Sequence, residues 1–212
     1  MSFFAKDLAR EQNIADFLDR NFYQKRFSNS FARSSKEDQL NGVDIYCDWD
    51  NLGKIAIDEK SNSSPQYINK FIPTFAFEIQ NTSSGRIGWL INEELKTEYW
   101  LLIYVWANPV GNGPIWGQFN PPLDITKLHC SLLKKDKLLS FLNDNGYGKK
   151  ELLNECNQAA RNGIEGPIKK NSNKPFYFYH TTRLTEKPVS YTHLRSHETD
   201  SYLVCRLLLE KS

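Results

Sequence analysis

The chain has 212 residues, with 27 Lys plus Arg against 25 Asp plus Glu, a net charge of +2 and 13% aromatic residues. It is long enough to bury a real core, and a balance so near neutrality is no polyanion-binding signature by itself. No apolar run reaches about 18 residues, the opening MSFFAKDLAREQ mixes acid and base, and no cysteines show C-x-x-C spacing; these features argue against a membrane partner, a signal peptide, a zinc ribbon or a disulfide framework, and predict a cytoplasmic protein.

Phe4, Leu8, Ala15, Leu18 and Phe22 recur at helical spacing, which predicts an amphipathic helix over 3–22. Residues 23–41 are rich in Ser, Asn and Arg and read as loop. GVDIYC, the turn DWDNLG and KIAIDEK read as a β-hairpin. Pro65 suits the first residue of a short helical turn. TFAFEIQ alternates strictly and reads as a third strand, with RIGWLIN and TEYWLLIYVWA as further strands, the last apolar enough to be central. Residues 107–122 hold too much Pro and Gly to be anything but loop. KLHCSLL reads as a strand in which His129 beside Cys130 suits packing better than metal ligation. KKDKLLSFLNDNG and GKKELLNECNQAARNG read as helices ended by Gly146 and Gly163, and PFYFYHTT as a last strand. Helix, hairpin, strands and helices around one mixed sheet make an α/β (α+β) domain, a central mixed β-sheet flanked by helices.

The segment from Val189 to Lys211, VSYTHLRSHETDSYLVCRLLLEK, resembles the transposase end and indexing primer of a sequencing-library adapter, translated in one frame. Ser196 departs from that text, which encodes Ala there. The resemblance implies a native single domain over 1–188 and an adapter-derived tail over 189–212 with few buried contacts.

Asp44 lies within an apolar strand, where a carboxylate is costly unless it is paired or holds a cation. On the following strand Asp58 and Lys60 share a face, because side chains alternate with period 2. Hairpin pairing can bring that face beside Asp44. Two carboxylates and an ammonium at a strand edge suit a hard divalent cation plus a group that orients water.

Asp44 followed by Asp58-Glu59-Lys60 resembles the PD-(D/E)XK motif of the restriction endonuclease-like superfamily, with Val43 where the motif has Pro. The helix before it and the strand after it also resemble that superfamily's core order of helix, three strands, helix, strand, over roughly residues 3–106. The resemblance implies a Mg²⁺-dependent DNA endonuclease, Mn²⁺ being a substitute ion. Asp44 and Asp58 would bind the metal with the Glu59 carbonyl, and Lys60 would position water and the scissile phosphate. Glu11 on the first helix and Glu78 and Gln80 on the third strand are candidate additions to the site. Lys25, Arg26, Arg33, Lys36, Lys134 and Lys135 are candidate phosphate contacts. DNA is the expected partner, and a homodimer is compatible with the reading. The alternative is a catalytically inactive nucleic-acid or protein-binding module on the same fold, with Trp49, Trp89 and Trp116 as stacking platforms. A carbohydrate-binding module gives no reason for Asp44 and Asp58.

Overall fold

The computed structural model describes residues 3–28, 30–71, 74–111, 113–169, 176–181, 189–195 and 204–210. In chain order its elements are α1 (Phe3–Leu18), a π-helical turn (Asp19–Tyr23), α2 (Gln24–Phe27), β1 (Phe31–Arg33), α3 (Lys36–Leu40), β2 (Ile45–Trp49), a 3₁₀ turn (Asp50–Leu52), β3 (Gly53–Asn62), β4 (Thr74–Asn81) and β5 (Tyr99–Asn108). There follow α4 (Ile115–Gln118), β6 (Asp124–Lys134), α5 (Lys135–Asp144), α6 (Lys149–Arg161), β7 (Gly166–Lys169), β8 (Phe176–Thr181), β9 (Val189–Arg195) and β10 (Val204–Glu210). The chain divides into two compact units: residues 1–72, 97–133 and 205–212 form the first, and 73–96 with 134–204 the second. Among the described residues no helix is long and apolar enough to cross a membrane.

The first unit holds a mixed sheet in the order β1-β2-β3-β5-β6-β10. β2 and β3 pair antiparallel, whereas β3 and β5 run parallel. Ile45 and Cys47 of β2, Ile55 and Ile57 of β3, and Leu101 and Ile103 of β5 meet Ile14, Phe17, Leu18 and Phe22 from the helix. They do so because alternate residues of a strand share one face. Leu8, expected on the apolar helix face, is 57% exposed. The first unit thus has the expected mixed sheet with helical cover, and the hairpin of β2 and β3 forms where the sequence predicts it.

The second unit holds a sheet in the order β4-β9-β8-β7, whose pairings are antiparallel. Leu138 and Leu142 of α5, and Leu152, Cys156 and Ala159 of α6, are buried. Gly146 and Gly163 follow these helices with φ of 79° and 59°, a conformation natural to the glycine that ends a helix.

Several expectations give way here. Residues 23–41 are not one loop but carry α2, β1 and α3, elements too short to leave a periodic signal. Pro65 opens a hydrogen-bonded turn and no helix. RIGWLIN is not a strand: it crosses the end of β4 through an isolated bridge between Gln80 and Ile87 and through Leu90 N–H donating to the Glu78 carbonyl. TFAFEIQ is the strand β4 but joins the second sheet, and the place beside β3 belongs to β5. Alternation identifies a strand without naming its neighbour.

The segment expected to be a loosely attached tail supplies β9 and β10 instead. β9 lies between β4 and β8, with Ser190 and Thr192 fully buried and Ser190 Oγ 2.8 Å from His180 Nδ1. A ladder is made by backbone groups that every sequence carries, so a run of strand-forming residues with small inward side chains fills the slot whatever its origin.

Candidate functional site

Asp44 precedes β2 at the point where the hairpin ladder ends at Ile45 and Ile57. Its N–H donates to the Ile57 carbonyl at 2.9 Å, which ties Asp44 to β3 at the end of the ladder, next to Asp58. The Asp44 carboxylate is held from below: its Oδ2 accepts the Glu59 N–H at 2.7 Å. Lys60 follows Asp58 on the same face of β3, and its Nζ lies 2.7 Å from Asp58 Oδ1. Asp44, Asp58 and Lys60 thus converge.

Asp58 is 3% exposed, and its Oδ2 has no hydrogen-bond partner among the described residues. An orphaned buried carboxylate oxygen is costly. Burial pushes the Asp58 carboxyl up to about 7; the Lys60 ammonium opposes this, and the Asp44 carboxylate reinforces it by its charge and by standing as an acceptor within reach once Asp58 is protonated. Either a proton shared with Asp44 or a cation between the two would satisfy the orphan oxygen.

Glu11 lies on α1. It is exposed to solvent yet shadowed by protein, and this shadowing raises its carboxyl above the ordinary range, with Lys60 pulling down and Asp7 and Asp44 pushing up. The first helix therefore brings an acid within electrostatic reach of the pair. Glu78 and Gln80 belong to β4 in the second unit, where Glu78 meets Arg86 and Gln80 is buried.

The opposite face of β3 carries a network that the sequence did not announce. The Glu59 side chain accepts the Tyr23 hydroxyl at 2.8 Å and Arg33 Nη1 at 2.6 Å. Arg33 also donates to both Asp19 carboxylate oxygens and to the Ala15 carbonyl, and its guanidinium lies 5.5 Å from the Tyr23 ring centroid. Burial raises the Glu59 carboxyl against the pull of Arg33 and Tyr23, while the two acids hold the Arg33 proton more tightly than usual. Arg33, whose charge alone suggests a phosphate contact, is thus a structural clamp between α1, β1 and β3. Arg33→Ala strands the Glu59 carboxylate, so we expect a loss of about 3–5 kcal/mol in denaturant unfolding at neutral pH. Arg33→Lys, which keeps the charge without the fork, should lose less.

Lys135 likewise cannot meet a phosphate as it stands: it is buried, and its Nζ donates to the Asn92 and Leu95 carbonyls. Arg26 pairs with Asp50 and lies over Phe27 and Trp49. Lys25 and Lys36 are exposed and Lys134 is half-buried. Of the three candidate stacking residues, Trp49 is buried, Trp89 half-buried and Trp116 is 49% exposed. Cys47, Cys130 and Cys156 are buried free thiols, as the spacing implied.

Among the described residues no group of three His, Cys, Asp or Glu side chains is assembled as a ready metal cage. The acidic donors that lie together are the Asp44 and Asp58 carboxylates, two and not three, and a divalent ion held by one or two carboxylates would take the rest of its shell from water and phosphate. Compared with protein-family models, with curated proteins and with solved structures, the chain matches none.

Proposed function

We propose that this chain is a Mg²⁺-dependent nuclease that hydrolyses phosphodiester bonds in DNA. The observation that carries the reading is the orphaned Oδ2 of buried Asp58, beside the Asp44 carboxylate and on the strand face that presents Lys60. A divalent ion bound there would offset charge on the phosphate and lower the pKa of a water molecule. The residues' own tasks follow from position. Asp44, fixed by the Glu59 N–H, and Asp58, with one oxygen free, would hold the ion from two strands with the Glu59 carbonyl. Lys60, 30% exposed, can swing from Asp58 to orient water and the scissile phosphate once that carboxylate is engaged elsewhere. Glu11 is placed to join from α1, and Lys25, Lys36 and Lys134 are candidates for backbone phosphates.

A helix, an antiparallel hairpin and an adjacent strand are consistent with a restriction endonuclease-like core. The departure is that β5, parallel to β3, occupies the position where the next strand in sequence was expected. The test is cleavage of linear, supercoiled and branched DNA in Mg²⁺ against the same reactions in EDTA. We expect divalent-dependent cutting of at least one substrate. Binding without cutting of any of them would replace the enzyme with the nucleic-acid-binding module.

A further inference from the structure

The face of the sheet that carries Asp58 and Lys60 continues onto β5. The parallel register sets Asp58 beside Trp100, Lys60 beside Leu102 and Asn62 beside Tyr104, so the same face next presents Trp106. Trp100, Leu102 and Tyr104 are buried, and Trp106 is half-buried. There an aromatic and basic cluster is gathered. The rings of Trp106 and His129 lie 4.4 Å apart, Phe71 touches Tyr104 at 5.1 Å and His129 at 6.3 Å, and Lys127 Nζ stands 5.2 Å from the Trp106 centroid. Phe71 remains 48% exposed.

We infer that Phe71, Trp106 and His129, with Lys127, form a stacking platform for an unpaired nucleobase, so that the substrate class is DNA with a single-stranded segment. The inference rests on the nuclease reading for its occupant. An exposed Phe71 ring beside the half-buried rings of Trp106 and His129 suits a base face, which a duplex hides within its own stack. Lys127 supplies the cation that a neighbouring phosphate needs. His129 is held below its ordinary range by partial burial and by Lys127, against Glu210, and so stays an uncharged ring at neutral pH. From the level of Lys60 to that of Trp106 is four residues of strand, about 13 Å. A single-strand site of about 4–16 nucleotides spans that distance.

The test is fluorescence anisotropy of a labelled oligo(dT) and of a labelled duplex, titrated with the full chain in EDTA. Phe71→Ser, at an exposed position, and Trp106→Ala should each bind the single strand roughly 5- to 100-fold more weakly while duplex binding holds. Trp106→Phe should recover most of the loss, and the unchanged duplex binding of Trp106→Ala separates lost stacking from a disturbed fold. Equal single-strand binding by wild type, Phe71→Ser and Trp106→Ala overturns the platform, as does a parallel loss on both DNAs. If the wild type cuts no DNA yet these variants lose single-strand affinity, the platform stands and the nuclease reading falls. Cutting by the wild type with unchanged variant affinities gives the reverse.

Discussion

At pH 8 without divalent cations, Asp58→Asn should melt above the wild type, and added Mg²⁺ should raise the wild type alone. The sign follows from the Asp58 carboxyl, pushed up to about 7 mainly by burial and far above its ordinary value near 4. Between those values the folded protein keeps a proton that the unfolded chain has lost. The contribution of Asp58 to wild-type stability is therefore fully present below about pH 4 and is lost as pH rises through about 7, by at most about 4 kcal/mol. Asn removes the titration, and Lys60, partly exposed, can turn to water. An ion that binds the folded state would restore the wild type at high pH by mass action. Asp44→Asn and Asp58→Asn should each lose cleavage together with Mg²⁺-linked stabilisation. Lys60→Ala should keep the stabilisation and lose about 10²- to 10⁴-fold in cleavage rate, because its task concerns water and phosphate. Calorimetric melts from pH 4 to 8, with and without Mg²⁺, and a cleavage time course separate these outcomes. A wild-type profile flat across that range, or three variants that cut like wild type, would dismiss the site.

Truncation after Pro188 is expected to dismantle the sheet of the second unit. β9 is paired on both sides, with β4 from Thr74 to Asn81 and with β8 from Phe176 to Thr181, and Thr192 lies between Phe77 and Phe178. Without it two strands lose their partners, and the buried His180 loses Ser190. A four-stranded sheet reduced to an isolated strand and a two-stranded remnant is marginal in water. Hydrogen exchange should show β4 and β8 amides losing their protection while β3 and β5 keep theirs. Unchanged melting after truncation would mean that the adapter-like residues add nothing to the fold.

The site was legible because hairpins leave a local record: two β-branched runs around DWDNLG fix which strands pair, and period 2 then sets Asp44, Asp58 and Lys60 on one face. Even the place of Glu11 follows from the helix preceding the hairpin. What could not be read was long-range. TFAFEIQ carries its own alternation but no sign of which sheet it enters, so Glu78 and Gln80 were assigned to the wrong neighbour strand. Arg33 and Lys135 look like any surface cations in sequence, and only the fold shows one facing Asp19 and Glu59 and the other facing backbone carbonyls. Glu59 looked like the spacer of a motif, whereas its side chain anchors the back of the strand.

The π-helical turn at Asp19–Tyr23 also sets a limit on length variation in this chain. An α-helix advances about 100° per residue, and the wider turn absorbs the equivalent of one extra residue without breaking the rod. The stretch bearing Asp7 and Glu11 and the stretch bearing Tyr23 and Phe27 are consequently out of phase with a single regular helix. Removing one residue between Leu18 and Gln24 would tighten the rod into an ordinary helix and leave Glu11 and Tyr23 in nearly their present phase, because the wide turn already carries the extra residue. A deletion elsewhere in the rod, where nothing absorbs it, would rotate one half against the other by about 100° and turn Glu11 from Asp44 and Lys60 or Tyr23 from Glu59, so length can change only at the wide turn.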